Sequence, residues 1–168
     1  METKIVAIEG TDAPESIREK LIEAGNIIKR GGLVAFPTET VYGLGGDALN
    51  PESAKKIYAA KGRPSDNPLI VHVSNMDDLQ KIVKEVPPKA EELARMYWPG
   101  PLTMIFEKTD LVPYETTGGL DTVAVRMPVH ALASLLISFS GGFIAAPSAN
   151  ISGRPSPTTA EHVAQDME

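Results

Sequence analysis

Apolar residues follow two rhythms along this chain. Short unbroken runs, Leu33 to Phe36, Leu69 to Val73, Leu102 to Phe106, Val123 to Met127 and Phe143 to Ala146, are bounded by turn formers and predict buried strands. Lys4 to Ile8 is a candidate sixth. Between most of these runs, apolar positions recur every three or four residues. Ile17, Leu21, Ala24 and Ile28 predict a helix that stops at Gly31-Gly32, just after Lys29-Arg30. Asn50 and Pro51 supply the N-cap and first position of a second helix, striped by Ala54, Ile57 and Tyr58. Leu79, Ile82, Val83 and Val86 mark a third. Ala90, Leu93, Ala94 and Tyr97 mark a fourth after Pro87-Pro88, and Leu132, Leu135 and Leu136 a short one after Pro128. A capping box from Thr158 to Glu161 opens a last helix, with Ala160, Val163, Ala164 and Met167 on one face. Strands interleaved with helices predict an α/β fold in which helices cover a mixed sheet.

No repeat, low-complexity tract or linker breaks the pattern, and 168 residues suit one domain, read as 1–168. Composition narrows the functional classes. With 16 basic against 22 acidic residues the net charge is -6, so contact with nucleic acid needs a local basic patch. The absence of Cys removes thiol nucleophiles and thiolate zinc sites, and 3 His make a multi-histidine cage improbable. The first eight residues alternate charged and apolar side chains, unlike a signal peptide, and no run reaches membrane-spanning length. A cytoplasmic protein without a membrane partner is expected.

Four segments gather polar residues at predicted strand ends, where α/β sheets bind ligands. Pro37 to Gly45 offers the hydroxyls of Thr38 and Thr40 beside glycines; an ordinary capped turn would look the same. Lys61-Gly-Arg63, on a loop stiffened by Pro64 and Pro68, could hold neighbouring phosphates, although Lys61 and Gly62 also suit plain helix termination. Arg126 interrupts an apolar strand and needs an anion, either a ligand carboxylate or an internal Asp or Glu. His72, alone in a strand, is either a satisfied core histidine or a site residue. Ala145 to Pro157 sets small side chains, then hydroxyls, an amide and Arg154, where a nucleotide could lie. The chain has no phosphate-binding P-loop, dinucleotide turn, nucleophile elbow or H-E-x-x-H helix. Cations and hydroxyls without a nucleophile point to catalysis by positioning and charge neutralisation, as in transfer at phosphorus.

Lys61-Gly-Arg63 followed by Ser148-Ala-Asn150 resembles the K-x-R and S-x-N signature of the threonylcarbamoyl-AMP synthase family. Phe36 to Gly45, Asn67 to His72, Trp98 to Thr103 and Thr122 to Pro128 resemble it as well, in the same order, so the likeness spans about Gly31 to Thr159. It implies a YrdC/RibB-like fold, a twisted open mixed sheet flanked by helices around a large concave cavity. It also implies a nucleotidyltransferase that joins L-threonine, bicarbonate or CO2, and ATP with Mg2+ into L-threonylcarbamoyl-AMP, releasing pyrophosphate. The product would serve N6-threonylcarbamoylation of adenosine 37, with tRNA or a tRNA-modifying complex as partner. By motif position, Lys61, Arg63, Asn67, Thr122, Ser148, Asn150 and Ser156 would face ATP, Lys61 and Arg63 acting in catalysis, and Thr40, His72 and Arg126 would face threonine. No metal ligand is implied among the side chains. Family members continue into a further strand with a Ser-Thr element beyond the position of Glu168, so a C-terminally truncated domain with weak binding or poor turnover is expected. The rival readings are a noncatalytic RNA-binding module with a basic rim of Lys61, Arg63 and Arg154, and a related enzyme that makes a carbamoyl-adenylate from carbamoyl phosphate.

Overall fold

A computed structural model describes residues 3–167. The predicted helix signals act where they stand. Helix α1, Pro14–Lys29, ends on backbone bonds to Arg30 before Gly31, whose φ of 75° few other residues adopt. Helix α2, Pro51–Lys61, starts with the Asn50 side chain accepting from the Glu52 N–H and stops at Gly62, left-handed at φ 59°. Helix α3, Met76–Ile82, is shorter than its apolar stripe. Val83 turns extended and bridges Lys108, and Val86 packs on the core from the loop. Helix α4 runs Pro88–Tyr97, α5 is one turn at Tyr114–Thr117 that the pattern does not predict, and α6 runs Ala131–Phe139. Helix α7, Ala160–Met167, is capped by Thr159 rather than Thr158, its hydroxyl meeting the His162 N–H at 3.3 Å.

The five predicted runs supply β1 (Val34–Phe36), β3 (Ile70–His72), β4 (Thr103–Glu107), β5 (Thr122–Arg126) and β6 (Ile144–Ala145). Lys4 to Ile8 forms no strand, and its Ile5 is exposed. The sixth strand is instead β2, Gly43–Asp47, inside a segment that reads as a loop. Its sequence, Gly-Leu-Gly-Gly-Asp, lacks the branched side chains that signal a strand, because there is no room for them. A Cβ on Gly45 would lie 2.8 Å from both Ile144 and Phe36, and one on Gly46 would lie 3.1 Å from Leu33.

The sheet order is β1-β2-β6-β3-β5-β4, antiparallel except for the β3–β5 pair. Neighbouring residues of β6 point to opposite cores: Ala145 joins the cluster built with α2, α3 and α4, whereas Ile144 joins the one built with α1 and α6. On the first of these faces Val71, Met104, Phe106, Val123 and Val125 are all buried. On the second, α1 and α6 pack on each other and α1 meets β1 and β2. The β3–β5–β4 half of that face is left open: Ile70, Thr103, Thr122 and Ala124 are half-buried and Ile105 is 70% exposed. No helix among the described residues is long and apolar enough to cross a membrane.

Candidate active site

The open half-face carries the first cluster. Register sets His72 beside Arg126 and Arg126 beside Thr103, so all three end their strands at one edge. The β1–β2 loop, residues 37–42, folds over them. Its shape is local: the Thr38 hydroxyl donates to the Val41 carbonyl at 2.7 Å and accepts from the Thr40 and Val41 N–H groups. That turn brings Glu39 and Thr40 onto Arg126. Nη2 donates to Glu39 Oε1 at 2.7 Å, and Nη1 and Nη2 each donate to Thr40 Oγ1 at 3.2 Å. Arg126 therefore has an internal acid as its anion, one of the two partners its position in the strand allows.

Glu39 is the residue of this cluster that the sequence motifs do not single out. The only local signal was an acid between two threonines after a strand, and its partner lies 87 positions away. Burial opposes ionisation of Glu39, but the hydrogen bond of Arg126, the nearby backbone N–H groups of Glu39 and Val129 and the charge of Arg126 together outweigh it and hold the carboxyl below its usual range. His72 is buried, with its ring edge-on to Phe36 at 6.1 Å and Nδ1 3.2 Å from the Ile70 carbonyl, so Nδ1 carries the donated proton. Burial, reinforced by Arg126, pushes its pKa down to about 4 and keeps the ring neutral near pH 7.

The second cluster sits where α2 ends. Lys61 is buried, and its Nζ donates to the carbonyl of Ser148 and, at 2.6 Å, to that of Asn150. The Ser152 N–H returns a bond to the Lys61 carbonyl. Lys61 thus ties its helix to the strand-end loop and does not cap its own carbonyls. Burial, followed by the charge of Arg63, lowers its pKa to about 8. Arg63 is half-buried, with Nε buried and without a partner. The Asn150 amide donates to Ile151 and Arg154 carbonyls at 2.9 Å and leaves Oδ1 unpaired. Backbone pairing joins the two clusters: Leu44 N–H to Pro147 carbonyl, Ala149 N–H to Tyr42 carbonyl, and a bridge between Gly43 and Ser148.

The remaining candidates scatter more. Thr122 lies on the open face, facing Glu107 across β5 and β4. Asn67 is exposed and accepts the Tyr58 hydroxyl on its carbonyl at 3.0 Å. Ser156 is exposed in a separate cleft of about 310 Å³ beside Arg154, His162 and Asp166. Another cleft, of about 290 Å³, lies between α3 and α4 and holds none of the candidates. The concavity at the clusters is an open sheet face. The basic rim of an RNA-binding module is not assembled, since Lys61 is buried on carbonyls and Arg154 pairs with Asp166 at 2.7 Å.

A family model named Sua5_yciO_yrdC and described as telomere recombination matches residues 26–168. The chain belongs to this family. It is 56% identical over 157 residues to the threonylcarbamoyl-AMP synthase of Pyrococcus abyssi, covering 90% of this chain and 46% of that protein. It is 50% identical over 169 residues to the synthase of Bacillus subtilis, covering 100% of this chain and 49% of that protein. A crystal structure of P. abyssi Sua5 complexed with L-threonine superposes with a TM-score of 0.87 at 57% identity, over 89% of this chain and 44% of that one. The chain thus spans about half the length of these family members, and the match confirms the mixed α/β fold the motifs imply.

Proposed function

We propose that this chain carries the site that forms L-threonylcarbamoyl-AMP from L-threonine, bicarbonate or CO2, and ATP. The observation that supports it most is Arg126, buried at the edge of an open sheet face with the Thr40 hydroxyl and neutral His72 around it. A guanidinium so placed suits a carboxylate, and a hydroxyl and a neutral imidazole suit the polar groups of a small amino acid. The relative solved with L-threonine supports the same substrate. The floor of half-buried Ile70 and Ala124 with exposed Ile105 suits the apolar faces of a nucleotide, with Thr122 beside it.

In this reading the threonine amine adds to CO2 as a carbamate, and a carbamate oxygen attacks the α-phosphorus while pyrophosphate leaves. Arg63, whose Nε has no internal partner, meets phosphate oxygens. Lys61 holds Ser148 and Asn150 in place and brings positive charge beneath them. Asn67 and Ser156 lie outside the two clusters and would meet the nucleotide by motif position alone. Mg2+ would enter with the triphosphate, as part of the substrate. The product would then be passed to a tRNA-modifying step in the cytoplasm.

Pyrophosphate release that requires both threonine and bicarbonate tests the reading, and release indifferent to threonine overturns it. In Arg126→Ala the threonine requirement should rise roughly ten- to hundredfold, the loss of a charged hydrogen bond worth about 1.5 to 3 kcal/mol, with the ATP requirement little changed. Equal loss for both substrates would contradict the assignment of Arg126.

A further inference from the structure

The pairing of Glu39 with Arg126 is half made. Guanidinium donors are arranged in two forks, Nη1 with Nη2 and Nη2 with Nε. Thr40 Oγ1 accepts from both members of the first fork, and Glu39 Oε1 takes Nη2 at 2.7 Å. The other halves of the second fork, Arg126 Nε and Glu39 Oε2, are both buried and both without a partner. A carboxylate fully committed to a structural ion pair would close the fork and satisfy both atoms. A carboxylate on one oxygen, with its neighbour unsatisfied and desolvated, is held less firmly, and each orphan atom costs free energy for as long as the arrangement lasts.

The Glu39 backbone is fixed by the turn that Thr38 caps, whereas its side chain is a flexible stem, 17% exposed as a whole. The Thr40 contacts leave Nη2 and Nε as the fork on which an incoming carboxylate can be held bidentately, and Glu39 stands on half of it.

We propose that Glu39 is an affinity-setting residue for the amino acid: an internal carboxylate that neutralises Arg126 while no ligand is bound and is displaced by the ligand's own carboxylate. This rests on the reading that Arg126 receives L-threonine. The exchange makes and breaks no covalent bond and moves no proton, because one carboxylate replaces another on the same guanidinium. Its consequence is that the measured affinity for threonine is reduced by the competition from Glu39, and that buried Arg126 is never left without a counterion.

The test is a calorimetric titration of the protein with L-threonine and, separately, with L-threoninol, which keeps the amine and hydroxyl but lacks the carboxylate. Glu39→Gln retains the shape and removes the competing charge. Glu39→Asp retains the charge on a stem one carbon shorter, too short for the same contact. Threonine should bind both variants severalfold to tenfold more tightly than the native chain, with threoninol binding unchanged. If threonine binds the native chain and binds the variants equally or more weakly, Glu39 is a structural support of Arg126 and the proposal is overturned. If threonine binds none of the three while the two variants melt like the native chain, the amino-acid reading itself fails and takes the proposal with it.

Discussion

At the scale of single residues, burial decides what His72 and Arg126 can do. His72 stays neutral because its ring is desolvated beside a guanidinium, and this links folding to pH. The unfolded chain takes up the proton near pH 6.5 and the folded chain only near pH 4, so the unfolded state binds more protons throughout that window. Stability therefore falls as the pH drops from about 6.5 to about 4, by up to about 3 kcal/mol from this residue. Urea unfolding at pH 7 and pH 4.5 should show the loss, and His72→Gln should remove most of the difference. Glu39 acts in the same direction at the acid end, since a carboxyl held low by Arg126 stabilises the fold only while it is ionised. Its pairing with Arg126 was not legible beforehand because a side chain's partner is a property of three-dimensional neighbours. The apolar strand around Arg126 showed that an anion was required, and nothing in that strand said which.

At the scale of elements, the helices were legible where their signals are local. Asn50 caps α2 and Gly62 ends it because a side-chain oxygen and a missing Cβ act within one turn. The apolar stripe of α3 overran its end because Val83 is buried in a strand-like bridge and Val86 packs on the core from the loop after the helix stops. Strand β2 was illegible for the converse reason: its glycines are required by what packs on it. The same closeness governs α1 against α6, where a Cβ on Gly25 would lie 2.8 Å from the Phe139 backbone. Alanine there improves helix propensity by roughly 1 kcal/mol, yet the two helices would have to part. Gly25→Ala should lower stability by a net 1 to 3 kcal/mol, roughly, as overpacking does. An unchanged midpoint in chemical denaturation would show that α6 can shift without cost.

At the scale of the whole molecule, the two cations of the K-x-R motif have different duties. Lys61 joins α2 to a loop 87 to 89 positions away through two carbonyls, while Arg63 keeps a buried donor free. Lys61→Ala should therefore lower both the melting temperature and the affinity for ATP, whereas Arg63→Ala should lower ATP affinity with the melting temperature nearly unchanged. Parallel thermal melts and nucleotide titrations separate the two. A Lys61→Ala protein as stable as the native chain would mean that the tether is not needed for the loop to hold its shape.

The sequence alone determined the α/β class, five of the six described strands, the helix limits that carry a cap, a proline or a glycine stop, and the order of the motifs, because hydrophobic period, caps and turn formers act over a few residues. Only the tertiary structure decided that a glycine-rich motif is a central strand, that half of one sheet face stays uncovered, and that Glu39 stands on Arg126. Those features are relations between segments dozens of residues apart. Their physics is exclusion of Cβ atoms, burial and charge pairing, all of which depend on which atoms the fold brings together.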